Sequence, residues 1–379
     1  MSMTDFVTRA PWRRMRRGWP VLLLLALLAG GWTGWAGSRA AAQTAGTVLG
    51  ASGLRGISFV PIPTAPFGSP QAADSLRRLA ATGANWVAIV APFREASSSA
   101  HDFYRGGEDP SLDAVGQEID LAHSLNLKVM LQPIVLSNDG VWNGWFQPDD
   151  IHSWFLNYQA MILDYARTAN DHHADLLCVG TEFFTLTTPV FSPSWRDLVA
   201  AVRGVYSGQL TYSANWGDKH NPEFVTIDWW DTLDYIGISA YFPLSWNNFL
   251  TDPLAAGWRN YQDPFGANAQ GTTFHWFDAI AAVHQRWNKP ILFTKIGFAS
   301  YANSPGRWDV PPDPYLELSV QANAYDATMR VWGQVDWMQG IFWSPWYSAP
   351  TAGGPRDNGE SPQNKPAENV LGRWYGGHP

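Results

Sequence analysis

Eight short β-rich runs, amphipathic helical patterns between them, and no glycine-rich phosphate turn after the first run together predict an α/β protein built as a single closed (β/α)8 TIM barrel. The runs are "RGISFV", "NWVAIVA", "KVMLQPIV", "LLCVGTEF", "LTYSANW", "YIGISAYF", "ILFTKIGF" and "WMQGIFWS". They read as near-continuous apolar stretches, the pattern of parallel strands buried on both faces. Between them the period changes. Val115, Ile119 and Ala122 share one helical face before the third run, and Phe277, Ile280, His284 and Trp287 share one before the seventh. In "FSPSW", Ser192 is placed as a helix N-cap with Pro193 at the first helical position. A doubly wound open sheet would need a glycine-rich turn after its first strand, and "RGISFVPIPTAPFGSP" has none.

The barrel is expected over residues 55–379, behind a linker at 43–54 and an N-terminal segment at 1–42. That segment reads as a signal peptide or a membrane anchor: Arg13, Arg14, Arg16 and Arg17, then the apolar run "VLLLLALLAGG", then small residues ending in "AAAQ". Cleavage before Gln43 would release a secreted or periplasmic protein, whereas an uncleaved segment would tether it, since the apolar stretch approaches spanning length. Asn247 to Thr273 reads as a long irregular insertion after the sixth strand, a wall for a cleft. The Gly- and Pro-rich tail ends in one closing helix around "PAENVLGRWY".

A net charge of -8, with no Lys/Arg cluster beyond the first twenty residues, argues against nucleic acid as a partner. The one cysteine, Cys178, lies in an apolar strand and reads as an inert core residue. His172 and His173 sit in a polar turn. No Cys/His spacing suits zinc, so neither a metal nor a cofactor is expected. The 22 tryptophans serve a core, a sugar-stacking cleft, or both, and composition does not separate the two uses.

In such barrels the C-terminal strand ends carry the chemistry. That rule selects Glu95, Gln132, Glu182, Asn215, Trp216, Tyr241, Lys295 and Trp343. Glu182, following "LLCVGT" with Phe183 and Phe184 behind it, is the leading carboxyl group, because desolvation would favour its protonated form and suit it to general-acid work. A structural ion pair is the alternative reading of the same residue. Lys295 is out of place in "ILFTKIGFAS": lysine is almost never buried without a partner, so the position is a pocket mouth or a replaced residue.

"LLCVGTEFF", "WRDLVAAVRGVYSGQLTYSANW", "WWDTLDYIGISAYFPL", "ILFTKIGFAS" and "SPQNKPAENVLGRWY", in that order, resemble the glycoside hydrolase family 113 β-mannanases of the retaining clan A. "SLDAVGQEIDLAHSLNLKVMLQP" agrees upstream, so the resemblance covers nearly the whole chain after the N-terminal segment. It implies an acid/base glutamate ending the fourth strand, which Glu182 matches, and a nucleophilic glutamate in a seventh-strand Phe-Thr-Glu-Ile-Gly motif. Here that motif reads "FTKIGF", with Lys295 at the nucleophile position. An ammonium cannot form the glycosyl ester, and it repels the positive charge that develops on the sugar. Gln132 and Ile134 stand where the resemblance implies a Lys-Pro-His type of motif, while Trp216, Tyr241 and Trp343 match the aromatic positions of the sugar pocket or are ordinary barrel aromatics.

The expectation is therefore an exported barrel that recognises a β-linked polysaccharide or oligosaccharide, mannan first, without the retaining hydrolysis. If Lys295 and Glu182 both point inward they form an ion pair that favours the charged form of each. An alternative keeps glycosidase activity through another carboxylate, such as Glu95, Asp218 or Asp309, or through inversion across a wider carboxyl separation of roughly 6.5–9.5 Å. A minor alternative is a Schiff base on Lys295, disfavoured because a neighbouring Glu182 raises rather than lowers the lysine's basicity.

Overall fold

The computed structural model describes residues 49, 53–217, 222–242, 276–302, 304 and 315–377. The N-terminal signal or anchor, the insertion expected at Asn247–Thr273, and Asp218 and Asp309 lie outside the described residues. In chain order the strands and helices are β1 (Leu54–Val60), α1 (Pro70–Ala81), β2 (Trp86–Glu95), β3 (Phe103–Tyr104), α2 (Leu112–Ser124), β4 (Lys128–Ser137), α3 (Ile151–Asp171), β5 (Leu176–Thr181), α4 (Ser192–Arg203), β6 (Gln209–Asn215), α5 (Glu223–Thr226), β7 (Ile236–Ser239), α6 (Trp276–Trp287), β8 (Ile291–Ile296), α7 (Leu318–Trp332), β9 (Met338–Tyr347) and α8 (Pro366–Tyr375). Each of the eight runs read from the sequence is a strand. The short β3 was not foreseen; it pairs antiparallel with the end of β2, Glu95 opposite Phe103.

Eight parallel strands close into a barrel in the order β1-β9-β8-β7-β6-β5-β4-β2, with β1 pairing β2 to complete the ring. Inside it, Leu54, Ala88, Met130, Leu176, Cys178, Leu292 and Phe342 form an apolar floor. Gly56 is part of that packing: a Cβ there would stand 2.2 Å from the Phe342 ring, so no larger residue fits. Above the floor the interior becomes polar. Ser213 hydroxyl-bonds to both Ser239 (3.0 Å) and Thr294 (2.6 Å), and Gln132 Nε2 donates to Thr181 Oγ1 at 3.4 Å. The change from floor to polar layer points the chemistry to the C-terminal mouth.

The helices pack outside, where Leu76, Ile119, Ile162, Val199, Ile280 and Leu371 are buried. Side-chain caps fix where they start: Ser69, Ser111 and Asp150 accept from backbone N–H groups of the first turns of α1, α2 and α3. Ser192 departs from its expected capping role. It lies within α4, and its hydroxyl bonds to the Asp228 carboxylate instead, so side-chain bonding to a neighbouring loop replaces the cap. His172 ends α3 and pairs with Asp120 at 3.0 Å. Cys178 is buried as a free thiol. No helix among the described residues is long and apolar enough to cross a membrane.

Candidate active site

Glu182 follows β5 directly and adopts a left-handed backbone conformation, φ 55°, which is uncommon outside glycine and clusters at functional positions. Its backbone N–H donates to Ser213 O on β6 at 2.8 Å, holding it there. At the side chain, Oε2 accepts from the Trp142 indole N–H at 2.8 Å, and Oε1 lies 4.0 Å from Lys295 Nζ.

Lys295 reaches this place through an irregularity in β8. Ile238 of β7 pairs with Phe293, but the next residue, Ser239, pairs with Lys295, so the ladder skips Thr294. Such a skip resets the two-residue alternation of a strand. Thr294 bonds inward to Ser213, and Lys295, one residue later, also points into the mouth, where its ammonium sits 5.4 Å from the Tyr241 ring centroid. The lysine side chain keeps 28% of its surface exposed and that of Glu182 keeps 10%, so the pair forms part of the cleft surface. Lysine in a strand is thus accounted for by a carboxylate, an aromatic face and solvent.

Behind Glu182 lies a carboxyl that the sequence pattern did not single out. Glu223 of α5 is fully buried; its Oε1 accepts from Tyr212 (2.6 Å) and Thr187 (2.8 Å), and its Oε2 accepts from the Asn215 backbone N–H at 2.5 Å. Tyr212 Oη in turn accepts from the Phe183 N–H at 2.7 Å. One glutamate therefore ties the residue after Glu182 to the end of β6, where Asn215 accepts from Gly217 N at 2.6 Å. Burial pushes Glu223 up to about 7 against these hydrogen bonds, and the charge of Glu182 adds to the rise.

Two tryptophans also escaped the sequence reading. Trp142 and Trp145, between β4 and α3, pack edge-to-face at 5.7 Å, and Trp145 meets Phe184 at 5.8 Å. Trp145 is 42% exposed, an aromatic shelf beside Glu182. Both lie beyond a strand end in a long loop, where no periodicity marks them.

Other expected residues stand elsewhere. Trp216 is partly buried and packs edge-on against Trp276 at 5.3 Å. Trp343 has no exposed surface and is stacked on Tyr325 at 3.7 Å, so packing in the barrel wall occupies the face expected for a sugar platform. Glu95 and Gln132 are also sealed beneath the mouth. Burial, with Asp139 adding to it, pushes Glu95 up to about 8. Neither is exposed to the cleft: Gln132 lies midway along β4, and Glu95, the last residue of β2, is buried where β3 pairs with that strand. Among the described residues no three His, Cys, Asp or Glu side chains group as metal ligands.

The sequence model of Glycoside Hydrolase Family 113 matches residues 61–358. The chain belongs to that family. The family 113 β-mannanase AaManA from Alicyclobacillus acidocaldarius, solved in complex with ManMIm, is similar at 26% identity and a TM-score of 0.71, covering 87% of this chain and 99% of that one. A family 113 β-1,4-mannanase in complex form shares the fold at 23% identity and a TM-score of 0.70, covering 86% and 100%. A β-glucuronidase from Ruminococcus gnavus shares the fold more distantly, at 15% identity and a TM-score of 0.57, over 86% of this chain and 50% of its own. No curated protein matches the sequence. In this family 113 chain, then, the mouth of a glycoside-hydrolase barrel holds one glutamate against one lysine.

Proposed function

We propose that this chain recognises a β-linked polysaccharide outside the cytoplasm, mannan first, and that it lacks retaining hydrolysis because Lys295 occupies the position of the nucleophile. The observation that carries the reading is the Lys295–Glu182 pair across the mouth of a family 113 barrel. Retention needs two carboxyl groups about 5 Å apart, one donating a proton to the leaving oxygen and one attacking the anomeric carbon. Lys295 offers an ammonium at that range, which leaves the mouth without a nucleophile opposite Glu182. The open aromatic shelf of Trp145, with Trp142 behind it, suits the apolar face of a sugar ring. The AaManA complex with ManMIm supports the choice of mannan as the first ligand to try. The basic and apolar segment at 1–42 supports export, by cleavage or as an anchor.

The test is hydrolysis and binding of a panel of β-linked polysaccharides by the native protein and by Lys295→Glu. Binding without cleavage by the native protein is the expected result. Release of reducing ends with retained anomeric configuration by the native protein would overturn the reading.

A further inference from the structure

Glu360, in the loop between β9 and α8, has no part in the site as described so far. Its Oε2 is sealed from solvent with no hydrogen-bond partner, while the residue as a whole stays partly open. A Cβ at Gly297, two residues beyond Lys295, would lie 3.6 Å from that oxygen, which puts the carboxyl over the end of β8. The loop is built to hold it there. Ser300 N donates to Asn358 O at 2.9 Å, and buried Gln321 of α7 donates to the carbonyls of both Phe298 (2.7 Å) and Glu360 (2.9 Å). Buried Lys365 donates to Gly359 O and Ser300 Oγ and pairs with Asp357 at 2.6 Å. The end of β8 and the loop that carries Glu360 are thereby one rigid unit.

The charges around Glu360 are few. Burial pushes it up to about 7, opposed first by the Lys295 ammonium and then by Lys365. Tyr241, Tyr301, Tyr325 and Tyr347 feel its charge, and burial keeps all four phenols protonated beyond the neutral range. Lys295 thus meets Glu182 at 4.0 Å and also acts on Glu360. We infer that Glu360 is the sugar-contacting carboxylate of this site, delivered by the β9–α8 loop instead of by β8, with Lys295 as its counter-ion. The inference rests on the glycan-reading function proposed above. A carboxylate beside an ammonium suits adjacent ring hydroxyls: one accepts from an O–H, the other donates to a neighbouring oxygen.

The experiment compares the native protein, Lys295→Met, Glu360→Gln and the double variant in two arms. Without sugar, urea unfolding is measured at pH 6 and pH 9. Removing Lys295 deprives ionised Glu360 of its leading cation, so Lys295→Met loses more stability at pH 9 than at pH 6, and adding Glu360→Gln abolishes that difference. Additive effects at both pH values overturn the pairing. In the second arm, calorimetry measures binding of β-linked manno-, gluco- and xylo-oligosaccharides at pH 8. Glu360→Gln, close to isosteric, is expected to lose at least tenfold in affinity. If it binds as tightly as the native protein, the sugar contact is overturned while the glycan-reading function stands. If the native protein binds no member of the panel, that function is overturned and the sugar contact falls with it, and the first arm still decides the pairing.

Discussion

At the scale of single residues, the site depends on carboxyl groups that differ in how they are satisfied. Glu182 is held by an indole N–H and an ammonium, whereas Glu223 is held by two hydroxyls and a backbone N–H in full burial. Glu223→Gln tests this directly. An amide matches either the hydroxyl pair or the Asn215 N–H, but its NH2 group faces a donor in one of the two directions, leaving a buried clash that costs about 1–3 kcal/mol. The urea midpoint should fall accordingly. The pH dependence has a defined sign. Glu223 is raised in the folded protein from an ordinary value of about 4.3 to about 7, so the folded state binds more protons than the unfolded state across that window. Stability from this group therefore falls as pH rises from about 4.3 to about 7 and levels off above it. The Gln variant has no proton to lose there and should lack this part of the decline. An unchanged pH profile in Glu223→Gln would show that the carboxyl does not titrate there.

At the scale of elements, the strands were legible because parallel barrel strands are apolar on both faces and stand out as runs, and the α8 boundaries at Pro366 and Tyr375 were legible from a proline start and a glycine stop. What the sequence hides is direction. Nothing in "ILFTKIGF" marks the skip at Thr294 that turns Lys295 inward, because a register irregularity is a property of the paired strands and not of one of them. Likewise, a tryptophan in a strand pattern reads equally as platform or packing; Trp343 became packing under Tyr325. The loops were least legible of all, since Trp142 and Trp145 take their meaning from Glu182, which is distant in sequence. The loop between β4 and α3 supplies a prediction of its own. Thr185 Oγ1 donates to Phe146 O at 2.6 Å, which ties the backbone of this loop to the segment after β5 through atoms outside the Trp145 side chain. Trp145→Ala should leave the thermal midpoint within about a degree or two, as for a surface substitution. Loss of a stacking face should weaken oligosaccharide binding roughly tenfold. Native affinity in that variant would place the sugar elsewhere in the mouth.

At the scale of the whole molecule, the ring closes where the chain's first strand meets its last, β1 against β9, and α8 joins them from outside. Tyr375 Oη lies 3.3 Å from the carbonyls of both Gly56 and Ile341, one on each strand of that seam. Val370 and Leu371 are buried with it, and Trp374 donates to Asp326 of α7 at 2.9 Å. The seam also sets the site, because β9 leads directly into the loop that holds Glu360 over the end of β8. Ending the chain after Lys365 would therefore strip three large buried side chains from the closure. At about 1.5–3 kcal/mol for each, the loss is about 5–9 kcal/mol. That is comparable to the roughly 5–15 kcal/mol by which a domain is stable. The truncated chain should fail to give a cooperative urea transition, and Leu371→Ala alone should lower the midpoint by the equivalent of about 2–5 kcal/mol. A truncated protein that unfolds cooperatively at the native midpoint would show that the β1–β9 pairing closes the barrel unaided.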